Sequence, residues 1–135
     1  MRDDGSKLKI VHTSVATVVR LQIADLGSWE TARLRCVVDE VLHATAESSA
    51  GRFVLDATAV TRLGAEFLNE LVRLHDYVRD RGLWFIVVAR GVCFELIALS
   101  RLDSLFPVVS TLDQALSDPL LHGRPGSSRS LREIA

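Results

Sequence analysis

The chain has 135 residues, of which 48% are hydrophobic and 24% are charged, and its formal net charge is -1. This length suits a single domain with one core, and the balanced charge creates no field that would attract nucleic acid. No segment reaches the run of about 20 apolar residues that spans a bilayer, and the start, MRDDGSKLKI, lacks the apolar core of a signal peptide. The composition predicts a cytoplasmic globular protein and argues against nucleic-acid binding and membrane insertion.

The first part of the chain predicts a hairpin followed by a helix. Residues 1–7 are polar and are expected to be flexible, after which KLKIVHT and ATVVRLQI carry the β-branched residues typical of strands. From Ser28 onward, apolar residues recur at helical spacing. Ser28 is the predicted N-cap of this helix, and Glu30 in the first turn suits the helix dipole.

The middle of the chain predicts two buried strands on either side of the clearest helix. RFVLDA and LWFIVVA are nearly continuous apolar runs, as expected for parallel strands covered on both faces. Between them, an apolar stripe at helical spacing begins at Phe67, and Gly82 is well placed to end the helix. His75 lies on or beside this stripe, and its expected role is that of a hydrogen-bonded core or boundary histidine.

The last part of the chain predicts two further helices and a short strand. The third helix is expected from about Val92 to Ser100, the strand at Val108 and Val109, and the final helix in STLDQAL with a cap in its first two residues. Residues 119–135 are rich in Gly, Ser and Arg and are predicted to form a flexible tail. The alternation of strands and helices therefore predicts a single α/β domain over residues 8–118, with right-handed crossovers between its parallel strands.

The common signatures of enzymes and metal sites are missing. The chain has no Gly-x-Ser-x-Gly elbow, phosphate-binding Gly-rich loop or His-Glu-x-x-His motif, and its four histidines are scattered one to an element. We therefore predict no catalytic residue, no metal ligand and no cofactor.

Three other residues are candidate functional groups. Asp56 ends a buried strand, where ligands of open α/β sheets bind, but the simpler interpretation is a carboxylate that accepts hydrogen bonds in the following turn. Cys36 and Cys93 form no Cys-x-x-Cys pair and are most simply small buried hydrophobic residues. A ligand pocket near Asp56, for a small molecule or nucleotide, and a redox switch of the two cysteines stay open as alternatives.

Two segments resemble a known family. At RFVLDATAVTRLGAEFLNELVRLHDYVRDRGLWFIVVA and LIALSRLDSLFPVVSTLDQAL the chain resembles a STAS domain, the module of bacterial anti-sigma-factor antagonists. The resemblance covers about Lys9 to Leu116. It implies a mixed four- to five-stranded sheet with about four helices packed mainly on one face. The implied function is protein binding in transcription regulation and stress response, and not an enzyme activity.

The family's regulatory motif is degenerate in this chain. In the family, an anti-sigma kinase phosphorylates a serine in an Asp-Ser-Ser/Thr-Gly motif at the start of a helix, and the unphosphorylated antagonist docks on the kinase and frees the sigma factor. Matched residue by residue, the Asp position is Gly64, the phosphorylated Ser position is Ala65, and Glu66 and Phe67 follow. Because Ala65 has no hydroxyl, serine phosphorylation at this position is predicted to be absent. Phe67 is expected to pack inward.

The loop before the first helix also departs from the family. Its usual Gly-Glu-Leu-Asp corresponds to residues 24–27, of which only Asp25 and Leu26 keep their character. The loop at residues 24–29 and the edge from Thr61 to Asn69 are the predicted contact surface for an anti-sigma factor or a kinase-like regulatory protein. The predicted partner-binding residues are Asp25, Ser28, Thr61, Arg62, Gly64, Ala65, Glu66 and Asn69.

Two alternatives within this interpretation concern the partner. STAS domains also act without phosphorylation, as subunits of transporters or of signalling scaffolds, so such an assembly is the second candidate. Self-association through an apolar patch near Trp29 and Phe67 is left open as well.

Overall fold

The computed structural model describes residues 2–3, 8–13, 16–45 and 51–117. The predicted tail at 119–135 and most of the predicted flexible start lie outside these ranges, so both stay predictions. Within the start, Arg2–Asp3 forms a short strand against the opening hairpin, where the sequence predicted only flexibility.

The core of the fold is one mixed sheet with a small pair of strands beside it. The strands are β1 (Arg2–Asp3), β2 (Leu8–His12), β3 (Thr17–Leu21), β4 (Asp25–Leu26), β5 (Arg52–Asp56), β6 (Arg62–Leu63), β7 (Trp84–Val88) and β8 (Val108–Val109). Six of them form the main sheet in the order β1-β2-β3-β5-β7-β8, and β4 pairs with β6. The first three strands are antiparallel and the remaining neighbours are parallel. The predicted mixed sheet is confirmed, and β1 adds a strand to the expected four or five.

Four helices are described, and they lie on two sides of the sheet. They are α1 (Ser28–Thr45), α2 (Ala65–Asp80), α3 (Gly91–Leu99) and α4 (Leu112–Ser117), with a 3₁₀ turn at Leu102–Ser104. α1, α2 and α3 share the larger core with one face of the sheet. α4 packs on the other face, where Ala115 lies with the outward side chains of β5 and β7. Packing of the helices mainly on one face is therefore confirmed.

Helix α2 carries the apolar stripe predicted from the sequence. Phe67, Leu71, Leu74 and Val78 follow one another at helical spacing and are all fully buried. His75 lies beside them and is also buried, with its ring 6.4 Å from that of Phe85 and 5.8 Å from that of Phe106 between centroids. The expected core or boundary position of His75 is confirmed.

A left-handed glycine ends α2, as predicted. Gly82 has φ +78°, its N–H donates to the carbonyl of Arg79 at 2.9 Å, and the N–H of Leu83 donates to that of Val78 at 3.3 Å. These two bonds form a Schellman motif, which satisfies carbonyls that the last turn leaves open. The chain then enters β7 directly.

A buried carboxylate joins α1 to α2. Glu70 is only 3% exposed, and its two oxygens accept hydrogen bonds from Arg35 at 2.8 Å and from Arg73 at 2.7 Å. Burial by itself would raise the pKa of Glu70, but the hydrogen bonds and charges of Arg73 and Arg35 outweigh it and hold that pKa below its ordinary value. Glu70 is therefore an ionised link that fixes the two helices side by side.

Candidate functional site

The loop before α1 and the loop before α2 are joined by a small parallel pair of strands. The carbonyl of Ala24 accepts the N–H of Thr61 at 2.8 Å and the N–H of Arg62 at 2.9 Å. In the β4–β6 register Asp25 lies opposite Arg62, and their side chains approach to 4.0 Å. Both side chains are largely exposed, so this ion pair adds little stability and its charges remain accessible to a partner.

A side-chain hydrogen bond extends this connection to the starts of both helices. The hydroxyl of Ser28, in the first turn of α1, donates to Oε1 of Glu66, in the first turn of α2. Ser28 is the first helical residue and not the predicted N-cap. The cap is Gly27, whose carbonyl accepts the N–H of Thr31 at 3.0 Å and whose own N–H donates to Glu30 at 3.0 Å. Glu30 thus supplies the capping interaction, and the Ser28 hydroxyl is available to bind across to α2.

The eight predicted partner-binding residues lie on these two adjoining segments, and every one of them is exposed. We call them the β4–β6 surface: Asp25, Ser28, Thr61, Arg62, Gly64, Ala65, Glu66 and Asn69. Asn69 is the outermost member and lies one helical turn into α2. The pairing of β4 with β6 thus brings residues 25–28 next to residues 61–69.

The start of α2 has room for side chains that this sequence lacks. Gly64 is the N-cap residue in an extended conformation, φ -122°, and it makes no side-chain cap bond. A Cβ placed on Gly64 would meet no atom within 4 Å. Ala65 begins the helix and is exposed, whereas Phe67 is fully buried, as predicted. The absence of a side chain at the N-cap therefore reflects the sequence, because the backbone at Gly64 leaves space for one.

An exposed tryptophan adjoins this surface. Trp29 is 69% exposed and follows Ser28 in the first turn of α1. Phe67 is buried and cannot contribute to an exposed apolar patch. Of the two residues expected to form such a patch for self-association, only Trp29 is therefore available. The helical period was the available signal, because Trp29 falls outside the inward stripe that Leu34, Val38 and Leu42 form.

Asp56 makes the turn contacts expected from its position and one ion pair that was not predicted. Its Oδ1 accepts the N–H of Thr58 at 3.1 Å and the hydroxyl of Thr58 at 2.8 Å. Its Oδ2 lies 3.3 Å from Nε of Arg20, the residue opposite it in the β3–β5 register. A cavity of about 390 Å³ opens beside the pair.

No protein-family profile matches the chain, and no curated protein sequence matches it significantly. Solved structures do match. The chain is similar to an anti-sigma-factor antagonist from Mycobacterium paratuberculosis at 25% identity and a TM-score of 0.71, over 86% of this chain and 96% of the other. It is also similar to an anti-sigma-factor antagonist (STAS) domain protein from Planctomyces limnophilus at 19% identity and a TM-score of 0.66, over 82% and 96% of the two chains.

The chain has the STAS fold. Within it, Gly64 and Ala65 occupy the helix start at which the sequence resemblance places the family's Asp and phosphorylated Ser. That correspondence of residues comes from the sequence and stays a prediction.

The two cysteines have different environments in this STAS fold. Cys36 is exposed on α1, so the expectation that both cysteines are buried is wrong for this residue, which faces away from the sheet. Cys93 is buried on α3, and its burial raises the pKa of the thiol to about 11, which keeps it protonated. The arrangement gives no support to a redox switch between them.

The described residues contain neither a cluster of metal ligands nor a helix that could span a membrane. Nowhere in them do three His, Cys, Asp or Glu side chains come together as metal ligands. Among the helices that the structure describes, none is long and apolar enough to cross a membrane.

Proposed function

We propose that this chain is a regulatory module that binds a protein through the β4–β6 surface, and that its partner is an anti-sigma factor or a related kinase-like regulator. The observation that carries the proposal is the continuity of this surface. Three contacts join it, from Thr61 to the carbonyl of Ala24, from Arg62 to Asp25 and from Ser28 to Glu66. The anti-sigma-factor antagonist from Mycobacterium paratuberculosis, by its name, acts on such a partner.

The composition of the surface suits recognition of a protein. Its members are small or polar and are exposed, so a partner can approach the backbone closely and form hydrogen bonds. Trp29 at its border supplies one large apolar side chain, and tryptophan is among the residues that contribute most to interfaces. The surface carries charges of both signs, the carboxylates of Asp25 and Glu66 and the guanidinium of Arg62, which favours a partner of matching pattern over one of uniform charge.

The proposal includes a permanently binding-competent state. A phosphoryl group would add a charge of about -1.5 to -2 at the start of α2 and change the surface there. Ala65 cannot accept this group. The carboxylate of Glu66 is held by Ser28 and lies one residue further along the helix, about 100° around its axis, so it does not reproduce a phosphate on residue 65.

A binding experiment with two matched charge reversals tests the proposal. Purified protein is titrated with the anti-sigma factor of the source organism, and the affinity is measured by calorimetry for the wild type, Glu66→Arg and Glu40→Arg. Glu40 is an exposed residue of α1, about 18 Å along the helix axis from Ser28. The expected result is binding by the wild type and by Glu40→Arg and a loss of at least tenfold in affinity for Glu66→Arg.

A wrong partner and a wrong binding surface would give different results in this experiment. Absence of binding by the wild type would overturn the proposed partner. Equal binding by the wild type and Glu66→Arg would overturn the β4–β6 surface while leaving the partner in place. A circular-dichroism spectrum and a melting curve of each variant establish that it is folded.

A further inference from the structure

The cavity beside Asp56 lies where the fold places ligands. Strands β3, β5, β7 and β8 are parallel, so their carboxyl ends share one edge of the sheet, and open α/β sheets bind ligands beyond that edge. The cavity opens at the ends of β3 and β5. Its volume of about 390 Å³ falls at the lower end of the usual range for ligand pockets, which suits a small metabolite.

In the cavity wall, the pair of Arg20 and Asp56 exposes the positively charged side chain, while the carboxylate is buried. Both oxygens of Asp56 are engaged, one by Thr58 and the other by Nε of Arg20, and the residue is 4% exposed. Asp56 is therefore poorly placed to bind a metal ion or a ligand cation. The side chain of Arg20 is 43% exposed and meets Asp56 through Nε, so the outer edge of its guanidinium group keeps its N–H donors for another acceptor.

The remaining lining combines apolar and polar groups. Ala24 and Ala59 are exposed and contribute methyl groups, and the exposed Gln22 adds a polar amide. A guanidinium held by a carboxylate binds a second oxyanion well, because its planar fork matches the oxygens of carboxylates and phosphates. From this geometry we infer that the cavity is a binding site for a small organic anion, whose carboxylate or phosphate group pairs with the outer edge of Arg20.

Such a ligand would lie next to the β4–β6 surface. Ala24 lines the cavity, and its carbonyl is the acceptor that holds the backbone of Thr61 and Arg62. The ligand would thus contact Ala24, the residue before β4 whose carbonyl holds the start of β6. The binding site itself does not depend on the proposed protein partner.

An NMR titration tests the site with defined probes. The ¹⁵N-labelled protein is titrated separately with ribose 5-phosphate, with citrate and with uncharged ribose, and the amide shifts are followed. We expect saturable shifts of the amides in residues 20–24 and 56–59 with at least one of the two anions and none with ribose. Comparison of the phosphate and the carboxylate establishes which group the site accepts.

Three variants connect the shifts to the cavity. Arg20→Gln removes the proposed ligand-binding cation, Ala59→Phe fills the cavity and leaves the pair of Arg20 and Asp56 in place, and Arg79→Gln removes the same charge from an exposed position of α2. The first two are expected to weaken binding at least tenfold and the third to leave it unchanged. The dispersion of each spectrum shows whether the variant is folded.

Two outcomes would overturn the inference. One is the absence of saturable shifts at residues 20–24 and 56–59 with both anions. The other is binding of equal affinity in the wild type and in a folded Arg20→Gln or Ala59→Phe variant, because the anion would then lie elsewhere.

Discussion

Ser28 and Glu66, 38 positions apart in the chain, are joined by a hydrogen bond between the first turns of two neighbouring helices. The bond lies on the exposed surface, where water competes for both groups, so its effect on stability is expected to be small. The bond also holds the two loops in place relative to each other, because it links the first turn of α1 to the first turn of α2.

A double-mutant cycle measures this link. Ser28→Ala and Glu66→Ala, each of which removes one partner of the bond, are expected to lower the free energy of unfolding by less than about 1 kcal/mol, as removal of an exposed hydrogen bond does. Urea unfolding of both single variants and of the double variant gives the coupling energy. A coupling of zero would show that the two side chains do not interact in solution.

Restoring the first two positions of the family motif tests the prediction that Ala65 prevents phosphorylation at the start of α2. The double variant Gly64→Asp and Ala65→Ser fits the backbone, since a Cβ at Gly64 meets no atom within 4 Å and φ is -122°. Aspartate at an N-cap is favourable, so the variant is expected to be at least as stable as the wild type. Incubation with the anti-sigma kinase and ATP should phosphorylate Ala65→Ser, as intact-mass measurement would show. Gly64→Asp alone is the control and should remain unmodified.

Phosphorylation of that variant should also weaken docking, because the new charge lies within the β4–β6 surface. If the phosphorylated and unmodified forms bind the anti-sigma factor equally well, the start of α2 is not part of the interface.

The buried carboxylate of Glu70 predicts a pH-dependent contribution to stability. Glu70→Gln is expected to lower the free energy of unfolding by about 1–3 kcal/mol near neutral pH, because the two arginines lose their ionised partner. The pKa of Glu70 is lower in the folded state than its ordinary value of 4.5, so the contribution is fully present above pH 4.5 and is lost as the pH falls through the folded-state pKa.

Unfolding of the wild type and Glu70→Gln at a series of pH values measures this effect. The difference between the two proteins should shrink as the medium becomes more acidic. Glu95→Gln, at an exposed position of α3, is the control and should match the wild type throughout. A difference that stays constant into strong acid would show that Glu70 is not ionised in the folded protein.

Substitution of two glycines that have open space around them measures the cost of backbone strain without a change in packing. Neither Gly82 nor Gly64 has an atom within 4 Å of an added Cβ, but only Gly82 has a positive φ, +78°. Gly82→Ala is expected to cost about 1–2 kcal/mol because of the left-handed backbone. Gly64→Ser should be neutral or slightly stabilising. Equal melting temperatures for the two variants would argue against the Schellman ending of α2.

The cysteines should react at very different rates. Cys36 is exposed and is expected to be alkylated by iodoacetamide in the native protein, whereas buried Cys93 should react only after unfolding. Peptide mass spectrometry after a short native pulse distinguishes them. Rapid native modification of Cys93 would show that α3 opens from the core.

The sequence was most informative where burial is periodic. The stripe of α2 and the apolar runs of β5 and β7 predicted both the elements and the residues that are buried, because helix and strand periods translate directly into faces. Contacts between distant segments were not accessible in this way. The pairs of Arg20 with Asp56 and of Arg35 with Glu70 depend on which strands and helices become neighbours, and no local pattern states that.

For the candidate surface, too, the sequence predicts the member residues but not the contacts that join them. Its eight residues were proposed from the family resemblance, and the sequence indicated no reason why residues 24–28 and 61–66 should meet. The β4–β6 pairing supplies that reason. Conversely, the sequence predicts the N-cap of α1 one residue too late, because it shows a favourable serine but not that Glu30 already satisfies the preceding backbone N–H.

In the part of the chain that the structure describes, the main sheet ends in a strand of two residues at each side, β1 at one edge and β8 at the other. So short an edge gives a foreign strand few hydrogen-bonding groups to pair with, which protects the sheet from edge-to-edge aggregation. It also makes recruitment of a peptide by strand addition unfavourable along the described edges. The proposed β4–β6 surface lies instead at helix starts and loops, where a single substitution changes a side chain offered to a partner and leaves the sheet intact.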